Sequence, residues 1–183
     1  MVTATGSEEE PLRRLLALLA IVTTGLVAVD LPASAEPITG HLNREVSGPY
    51  TGRQSFDFAT PRCSFVHQVF DGSYQADRGR GAFDIDTCVS IEGSGFVFAG
   101  TFSLTTPHGA TVTGTVTGTT DAAVPTASLN LTLTPNEGTR EFKRVTGEIV
   151  LSGVWSNDAG ALGHGPTSGT LNGNLQRATG SAT

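Results

Sequence analysis

Residues 110–120 read ATVTGTVTGTT, and this stretch of only four amino-acid types decides how the chain is expected to fold. Its composition would suit a flexible linker, but its order alternates strictly. Threonines occupy one set of positions, and the other set holds Val112, Gly114, Val116 and Gly118. Threonine is a strong strand former that suits a solvated face, and a period of two is typical of a half-buried strand. The stretch is therefore predicted to be a β-strand.

The same alternation recurs along most of the chain after residue 36, where no segment shows a helical stripe with caps. It predicts strands over 52–59, 64–75, 82–91, 95–106, 110–120, 128–134, 145–155 and 168–176, with 38–48 as a candidate for a further strand. Short segments rich in glycine and proline separate these stretches, and 157–167 is predicted to be a long loop at one rim. The chain is therefore predicted to be all-β and antiparallel.

Glycines fall on the apolar side of strand after strand, as at Gly100, Gly147, Gly153 and Gly169. A glycine inside a strand weakens it and commonly marks a sharp bend or the close approach of another backbone. A small sheet that coils tightly and closes on itself needs such positions. A β-barrel of about eight strands is therefore favoured over the alternative, a β-sandwich, and its interior is either filled by side chains or holds one small ligand.

The first 35 residues have the three-part pattern of a secretory signal peptide. Arg13 and Arg14 precede an apolar run from Leu15 to Val29, and the small residues of LPASA (31–35) follow it. Cleavage after Ala35 would leave a single barrel domain over 36–183, secreted and without a stable membrane span. An uncleaved N-terminal anchor is the alternative, which the shortness of the apolar run disfavours.

Charge excludes one class of partner. Residues 36–183 carry a net charge of −4 and no basic cluster that would neutralise phosphates, so no binding to nucleic acid is expected. Lys143 is the single lysine beside ten arginines, which together with the frequent alanine, glycine and threonine is typical of a GC-rich bacterial genome.

Cys63 and Cys88 are the only cysteines, and both lie in the part expected to be exported. In an oxidising compartment two cysteines most simply form one disulfide, which would contribute on the order of 3 kcal/mol to stability. A site that holds a metal through cysteine and histidine is the alternative, but no CxxC or HxxxH spacing supports it. We predict the disulfide, no metal site and no cofactor.

The stretch EGTREFKRVTGEIVLSG (137–153) resembles a motif of the allene oxide cyclase/dirigent-like barrel superfamily, a glycine- and threonine-led pattern that runs into an alternating strand. Gly138, Thr139, Phe142 and Gly147 match, whereas Arg140 stands in place of a glycine and Val145 in place of an alanine. Together with residues 100–119, the stretch resembles uncharacterised secreted bacterial proteins of this barrel type. The resemblance covers about half of the expected mature chain, implies an eight-stranded antiparallel barrel and allows a homo-oligomer. It assigns no catalytic residue here.

The densest group of polar side chains lies between the two cysteines and consists of His67, Asp71, Tyr74, Asp84 and Asp86. His67 and Asp71 are the candidates for a catalytic acid–base pair, provided that they face the barrel interior. Asp84 and Asp86 alternate on one face, as two calcium ligands could. Because no glycine-bearing ligand loop accompanies them, a solvated strand face is favoured.

Which face the histidine occupies depends on the register of the hairpin, and two registers compete. A tight turn at 78–79 leaves Cys63 several residues beyond the partner of Cys88. A six-residue loop at 73–78 places the two cysteines opposite each other, with the histidine pointing outward opposite Asp84. Since a disulfide requires neighbouring Cα atoms, the second register is favoured.

The predicted inner face is rich in phenylalanine, and the candidates for ligand contact are Phe83, Phe96, Phe98 and Phe102. The function favoured by the sequence is non-catalytic binding of a small apolar ligand or of a surface partner. The first alternative is a structural or envelope-associated protein without a pocket. The second is an isomerase or cyclase of the allene oxide cyclase/dirigent type, which requires a cavity with inward polar groups. The absence of a recognisable catalytic set favours a protein that is not an enzyme.

Overall fold

The structure, a computed structural model, describes residues 42–58, 61–93, 95–121, 126–159 and 163–178. Within these ranges eight antiparallel strands form a closed barrel, in which each strand pairs with the next and the last pairs with the first. The strands are β1 Gly48–Asp57, β2 Val66–Ala76, β3 Gly79–Glu92, β4 Gly95–Thr105, β5 Thr111–Asp121, β6 Thr126–Gly138, β7 Val145–Ser156 and β8 His164–Arg177. Two single-turn 3-10 helices, Asn43–Glu45 and Arg140–Phe142, precede β1 and β7. The prediction of an all-β, eight-stranded antiparallel barrel is confirmed, and the sandwich is excluded.

The stretch 110–120 forms β5, with the faces that its alternation predicts. Val112 and Val116 are buried, and the threonines between them point outward. A Cβ atom at Gly118 would overlap the backbone carbonyl oxygen of Asn130 on the neighbouring β6. At an inward glycine such as Gly118, the backbone of the neighbouring strand lies too close to leave room for a side chain. The wall of a tightly coiled barrel requires such positions.

Two predicted boundaries are wrong. The described part of the candidate strand 38–48 contains the 3-10 helix Asn43–Glu45 rather than a strand, and its residues before 42 lie outside the described part of the chain. The predicted loop 157–167 is shorter than expected, since β8 already begins at His164. The reason is barrel closure: Ser55 of β1 pairs with His164, so β8 must extend along most of β1.

The two ends of the barrel differ. The end that carries the β2–β3, β4–β5 and β6–β7 connections is sealed by Val46, Ala110 and Phe142, each of which has no exposed surface. The Tyr74 hydroxyl donates a hydrogen bond to the backbone oxygen of Glu45 (2.8 Å), which ties the first 3-10 helix to this closed end. Burial, and then the charge of Glu45, raise the pKa of the Tyr74 hydroxyl. The opposite end, which we call the open end, has a cavity that reaches solvent among the described residues.

The predicted signal segment 1–35 and its cleavage site after Ala35 lie outside the described residues. In the part of the chain that is described, no helix has the length and apolar character needed to cross a membrane.

Candidate functional site

A cavity of about 170 Å³ occupies the open end of the barrel. It is bounded almost entirely by apolar surface and opens to solvent between the strand ends. Its lining comes from six strands and two connections, and consists of Phe56, Phe58, Phe65, Val66, Gln68, Val89, Phe96, Phe98, Thr120, Trp155 and Asn157. The mouth of a β-barrel is a common place for a small-molecule site.

Five of the lining side chains form a connected series of rings that we call the aromatic rim: Trp155, Phe56, Phe58, Phe65 and Phe96. Successive centroids are 5.5, 6.4, 6.3 and 6.2 Å apart, with the last pair stacked and the others edge-to-face. The outermost rings are Phe58 and Phe65, which are 61% and 41% exposed. Exposed aromatic surface next to an apolar cavity is costly in water unless something covers it, so the rim favours a bound apolar partner.

The polar groups around the cavity are joined by hydrogen bonds between side-chain amides. Gln68 Nε2 donates to Gln54 Oε1 (3.1 Å), and Gln54 Nε2 donates to Asn157 Oδ1 (3.4 Å). Asn157 Oδ1 also accepts a hydrogen bond from the backbone nitrogen of Gly163 (3.0 Å). Both glutamines are almost fully buried. These bonds hold the glutamine side chains in one orientation inside the barrel.

Trp155 is held in place by a hydrogen bond inside the barrel. Its indole Nε1 donates to Thr120 Oγ1 (3.2 Å), and the threonine hydroxyl in turn donates to the backbone oxygen of Ser128. A buried indole N–H that has a partner keeps the ring in one position. Trp155, the single tryptophan of the chain, therefore presents a fixed face to the cavity and is a natural fluorescent reporter for it.

The four phenylalanines predicted to contact a ligand all lie on the inner face, but they divide into two pairs. Phe96 and Phe98 line the cavity. Phe83 and Phe102 are buried toward the closed end, and Phe83 packs edge-to-face against Tyr50 at 5.5 Å. The second pair fills the core and does not reach the cavity.

The predicted disulfide between Cys63 and Cys88 is present, with Cα atoms 5.2 Å apart. The register inferred from it is wrong. The β2–β3 turn is the two-residue turn 77–78, and the partner of Cys88 across the strands is His67 rather than Cys63. The turn is tight because Gly79 adopts a φ of +136°, and residues 61–65 turn back along the sheet so that Cys63 reaches Cys88.

His67 lies on the outer face of the barrel. Its partner is not Asp84, as the six-residue loop predicted, because the tight turn pairs Asp84 with Asp71. Its Nε2 lies 2.9 Å from Asp86 Oδ1, and Arg62 donates to both oxygens of that carboxylate at 2.6 Å. Neither His67 nor Asp71 lines the cavity, so the structure does not bring them together as a buried acid–base pair.

The carboxylates on this outer face have opposite pKa shifts. Partial burial opposes ionisation of Asp86, but the hydrogen bonds and charges of Arg62 and His67 outweigh it and hold its pKa below the ordinary value. For Asp84, burial and then the charges of Asp86 and Asp71 raise the pKa. Asp86 on this outer surface is therefore ion-paired, and no group of three or more metal-binding side chains occurs in the described ranges.

We expect Asp84→Asn to stabilise the protein at pH 7 by roughly 0.2–1 kcal/mol, because it removes a carboxylate that faces Asp71 directly across the strands. A raised folded-state pKa means that the charged form of Asp84 is disfavoured by folding, so the gain should exist above that pKa. It should vanish as the pH falls below the ordinary aspartate value. Urea unfolding at pH 7 and pH 3 measures both quantities.

Asp86→Asn is the matched comparison, and it should act in the opposite direction. The lowered pKa of Asp86 stabilises the folded state above the ordinary value, and this contribution is lost as the pH falls through the folded-state pKa. The substitution should therefore destabilise the protein at pH 7. A stabilising Asp86→Asn, or an Asp84→Asn gain that persists at pH 3, would contradict this account.

No protein-family profile matches the chain, and neither a curated protein nor a solved structure is significantly similar to it.

The cavity residues that the sequence did not single out are Gln68, Trp155 and Phe65. Gln68 and Trp155 lie at predicted inward positions, but periodicity does not distinguish a residue that fills the core from one that lines a cavity. Phe65 reaches the rim only because residues 61–65 turn back, which alternation along a strand cannot indicate.

Proposed function

We propose that this protein binds a small apolar ligand in the open end of the barrel. The observation that carries the proposal is the solvent-accessible cavity of about 170 Å³, bounded by Phe98 and the aromatic rim. A barrel whose interior was filled along its whole length would have no place for a ligand. Apolar concavities with a few positioned polar groups are typical small-molecule sites.

The volume limits the size of the ligand. An apolar cavity of about 150 Å³ accommodates a single benzene ring, whereas typical drug-sized pockets are roughly 300–1,000 Å³. The cavity at the open end, at about 170 Å³, therefore suits a ligand of one or two rings, or the terminus of a longer apolar molecule whose remainder lies against the exposed rings of Phe58 and Phe65.

Binding without catalysis is the favoured version of this function. The cavity is lined by aromatic and aliphatic side chains together with Gln68, Thr120 and Asn157, and none of the described lining residues titrates in the physiological range. A cyclase or isomerase that relies on proton transfer would need such a group. His67 and Asp71, the predicted acid–base candidates, lie on the wrong side of the barrel wall for this role.

We further propose that the protein acts outside the cytoplasm and belongs to the allene oxide cyclase/dirigent-like superfamily. The disulfide between Cys63 and Cys88 supports an oxidising compartment, as does the signal-peptide pattern of residues 1–35. The eight-stranded antiparallel barrel and the matching residues Gly138, Thr139 and Phe142 support the membership.

Fluorobenzene is a suitable probe, since it is the size of the cavity and its binding can be followed by ¹⁹F NMR. We expect saturable broadening of its resonance, with a parallel change in Trp155 emission. Val89→Phe should abolish the broadening, because Val89 lines the cavity and a larger side chain would occupy the ligand space. The cost of overpacking is typically about 1–3 kcal/mol, so circular dichroism must confirm that the variant is folded.

Val150→Phe is the matched control, since Val150 is 39% exposed on the outer face of β7. It adds the same side chain away from the cavity and should leave fluorobenzene binding unchanged. The proposal fails if folded wild-type protein shows no saturable binding, or if both variants bind the probe as the wild type does.

A further inference from the structure

Gln68 forms the floor of the cavity on β2. The inward residues of this strand, followed from the open end, are Val66, Gln68 and Phe70. The first two line the cavity, and Phe70 is buried against Phe98 with ring centroids 5.9 Å apart. The side chain of Gln68 is therefore the last group on this strand that a ligand entering from the open end would meet. Only 1% of the residue is exposed.

The hydrogen bonds around Gln68 determine which atom of its amide is the oxygen. The backbone N–H of Gly163 can only donate, so the Asn157 atom that receives this bond must be Oδ1. Gln54 approaches the same oxygen and must present its Nε2, which leaves Gln54 Oε1 as the acceptor for Gln68 Nε2. The backbone N–H of Gly163 therefore determines the amide orientation of Asn157, which determines that of Gln54 and, in turn, that of Gln68.

This orientation leaves Gln68 Oε1 without a hydrogen-bond partner among the described residues. The atom is not sealed inside the protein, because in the described ranges the one fully enclosed side-chain oxygen or nitrogen that has no hydrogen-bond partner is Glu45 Oε2. The adjoining space is the cavity that Gln68 lines. A buried acceptor of this kind is costly unless a donor reaches it.

We propose that the preferred ligand is a small aromatic molecule that carries one hydrogen-bond donor, of the phenol or indole type. The ring would lie against Phe98 and the aromatic rim, and its O–H or N–H would point to the floor and donate to Gln68 Oε1. Aromatic rings pack edge-to-face or offset against such a lining. This inference rests on the proposed function and adds the chemical class of the ligand to it.

The test compares 4-fluorophenol with 4-fluorotoluene, which have nearly the same shape and differ in the donor. Cyclohexane cannot form hydrogen bonds, so the partition ratio of the two molecules between water and cyclohexane gives the affinity ratio expected of a purely apolar site. We expect the ratio of the two wild-type affinities, 4-fluorophenol to 4-fluorotoluene, to exceed that partition ratio by about tenfold or more. One satisfied hydrogen bond provides a preference of this size. Titrations followed by ¹⁹F NMR measure both affinities.

Two variants assign the preference to its source. Gln68→Met replaces the acceptor by an apolar side chain of similar length and should reduce the phenol-to-toluene affinity ratio by about tenfold. Phe98→Leu alters the apolar lining and leaves Gln68 in place, so it should weaken both ligands and preserve their ratio. The wild-type comparison with cyclohexane does not depend on either variant being folded.

The outcomes separate this inference from the proposed function. If neither molecule binds the folded wild-type protein, both proposals fail. If both bind but their affinity ratio matches the cyclohexane partition, or if Gln68→Met leaves the ratio unchanged, the cavity binds apolar ligands and the donor preference is wrong.

Discussion

Gly118→Ala should lower the free energy of unfolding by roughly 2–4 kcal/mol, an unusually large loss for the addition of one methyl group. The new Cβ would overlap the backbone carbonyl oxygen of Asn130 and approach the Leu131 Cα at 2.9 Å. Backbone atoms cannot rotate away as the end of a side chain can, so β5 and β6 would have to separate locally and lengthen the hydrogen bonds between them. Equilibrium unfolding in urea, followed by circular dichroism, measures the loss.

Thr117→Ala is the control, because Thr117 is the preceding residue on β5 and its side chain is exposed on the outer face. This substitution removes a good strand former without causing a steric clash, so it should lower the free energy of unfolding by less than about 1 kcal/mol. Equal stabilities of the two variants would contradict the close approach of the strands at Gly118. Gly118 would then not be a position that the curvature of the barrel wall requires to be glycine.

The fold could be predicted from the sequence because its main determinant is local. Alternation along 110–120 assigns Val112 and Val116 to one face whatever the rest of the chain does, and the inward glycines indicate curvature. Eight segments with this property, joined mostly by short connections, close most simply into a barrel. Local pattern therefore indicated the element type and, along 110–120, the face on which each valine lies.

The register of the β2–β3 hairpin could not be predicted in the same way, because Cys63 was assigned to the strand rather than to the connection that precedes it. The disulfide was expected to join two residues directly opposite each other in the sheet. In the structure Cys63 belongs to the connection before β2, and the turn-back of residues 61–65 brings it to Cys88. A covalent bond between a loop and a strand places no limit on the register between strands.

The cavity was beyond reach from the sequence because it depends on the difference between the two ends of the barrel. Val46 and Phe142 come from short segments outside the strands, and they seal one end. In the described residues, Phe58 and Phe65 extend toward the other end without covering it. An inward phenylalanine fills the core near the closed end and lines the cavity near the open end. Phe83 and Phe98 therefore differ in role, although both lie at inward positions of the same strand alternation.

Replacing both cysteines, Cys63→Ser with Cys88→Ser, should lower the free energy of unfolding by about 3 kcal/mol. The bond spans 25 residues of sequence, and the entropy of closing a loop of that size has about this value. The bond also holds the β1–β2 connection, which carries Phe58 and Phe65, against the outer face of β3. We therefore expect the double variant to bind fluorobenzene more weakly than the wild type. Urea unfolding and ¹⁹F titration measure the two effects separately.

Phe65→Ala in the disulfide-bonded protein distinguishes the two roles of this connection. Phe65 stacks on Phe96 at 6.2 Å but is 41% exposed, so its removal should weaken fluorobenzene binding with a smaller loss of stability than removal of the disulfide. If the double serine variant keeps wild-type stability, the disulfide does not stabilise the fold by restricting the unfolded chain. If it keeps wild-type affinity while Phe65→Ala does not, the aromatic rim holds its position through ring packing alone, and the disulfide serves the fold rather than the site.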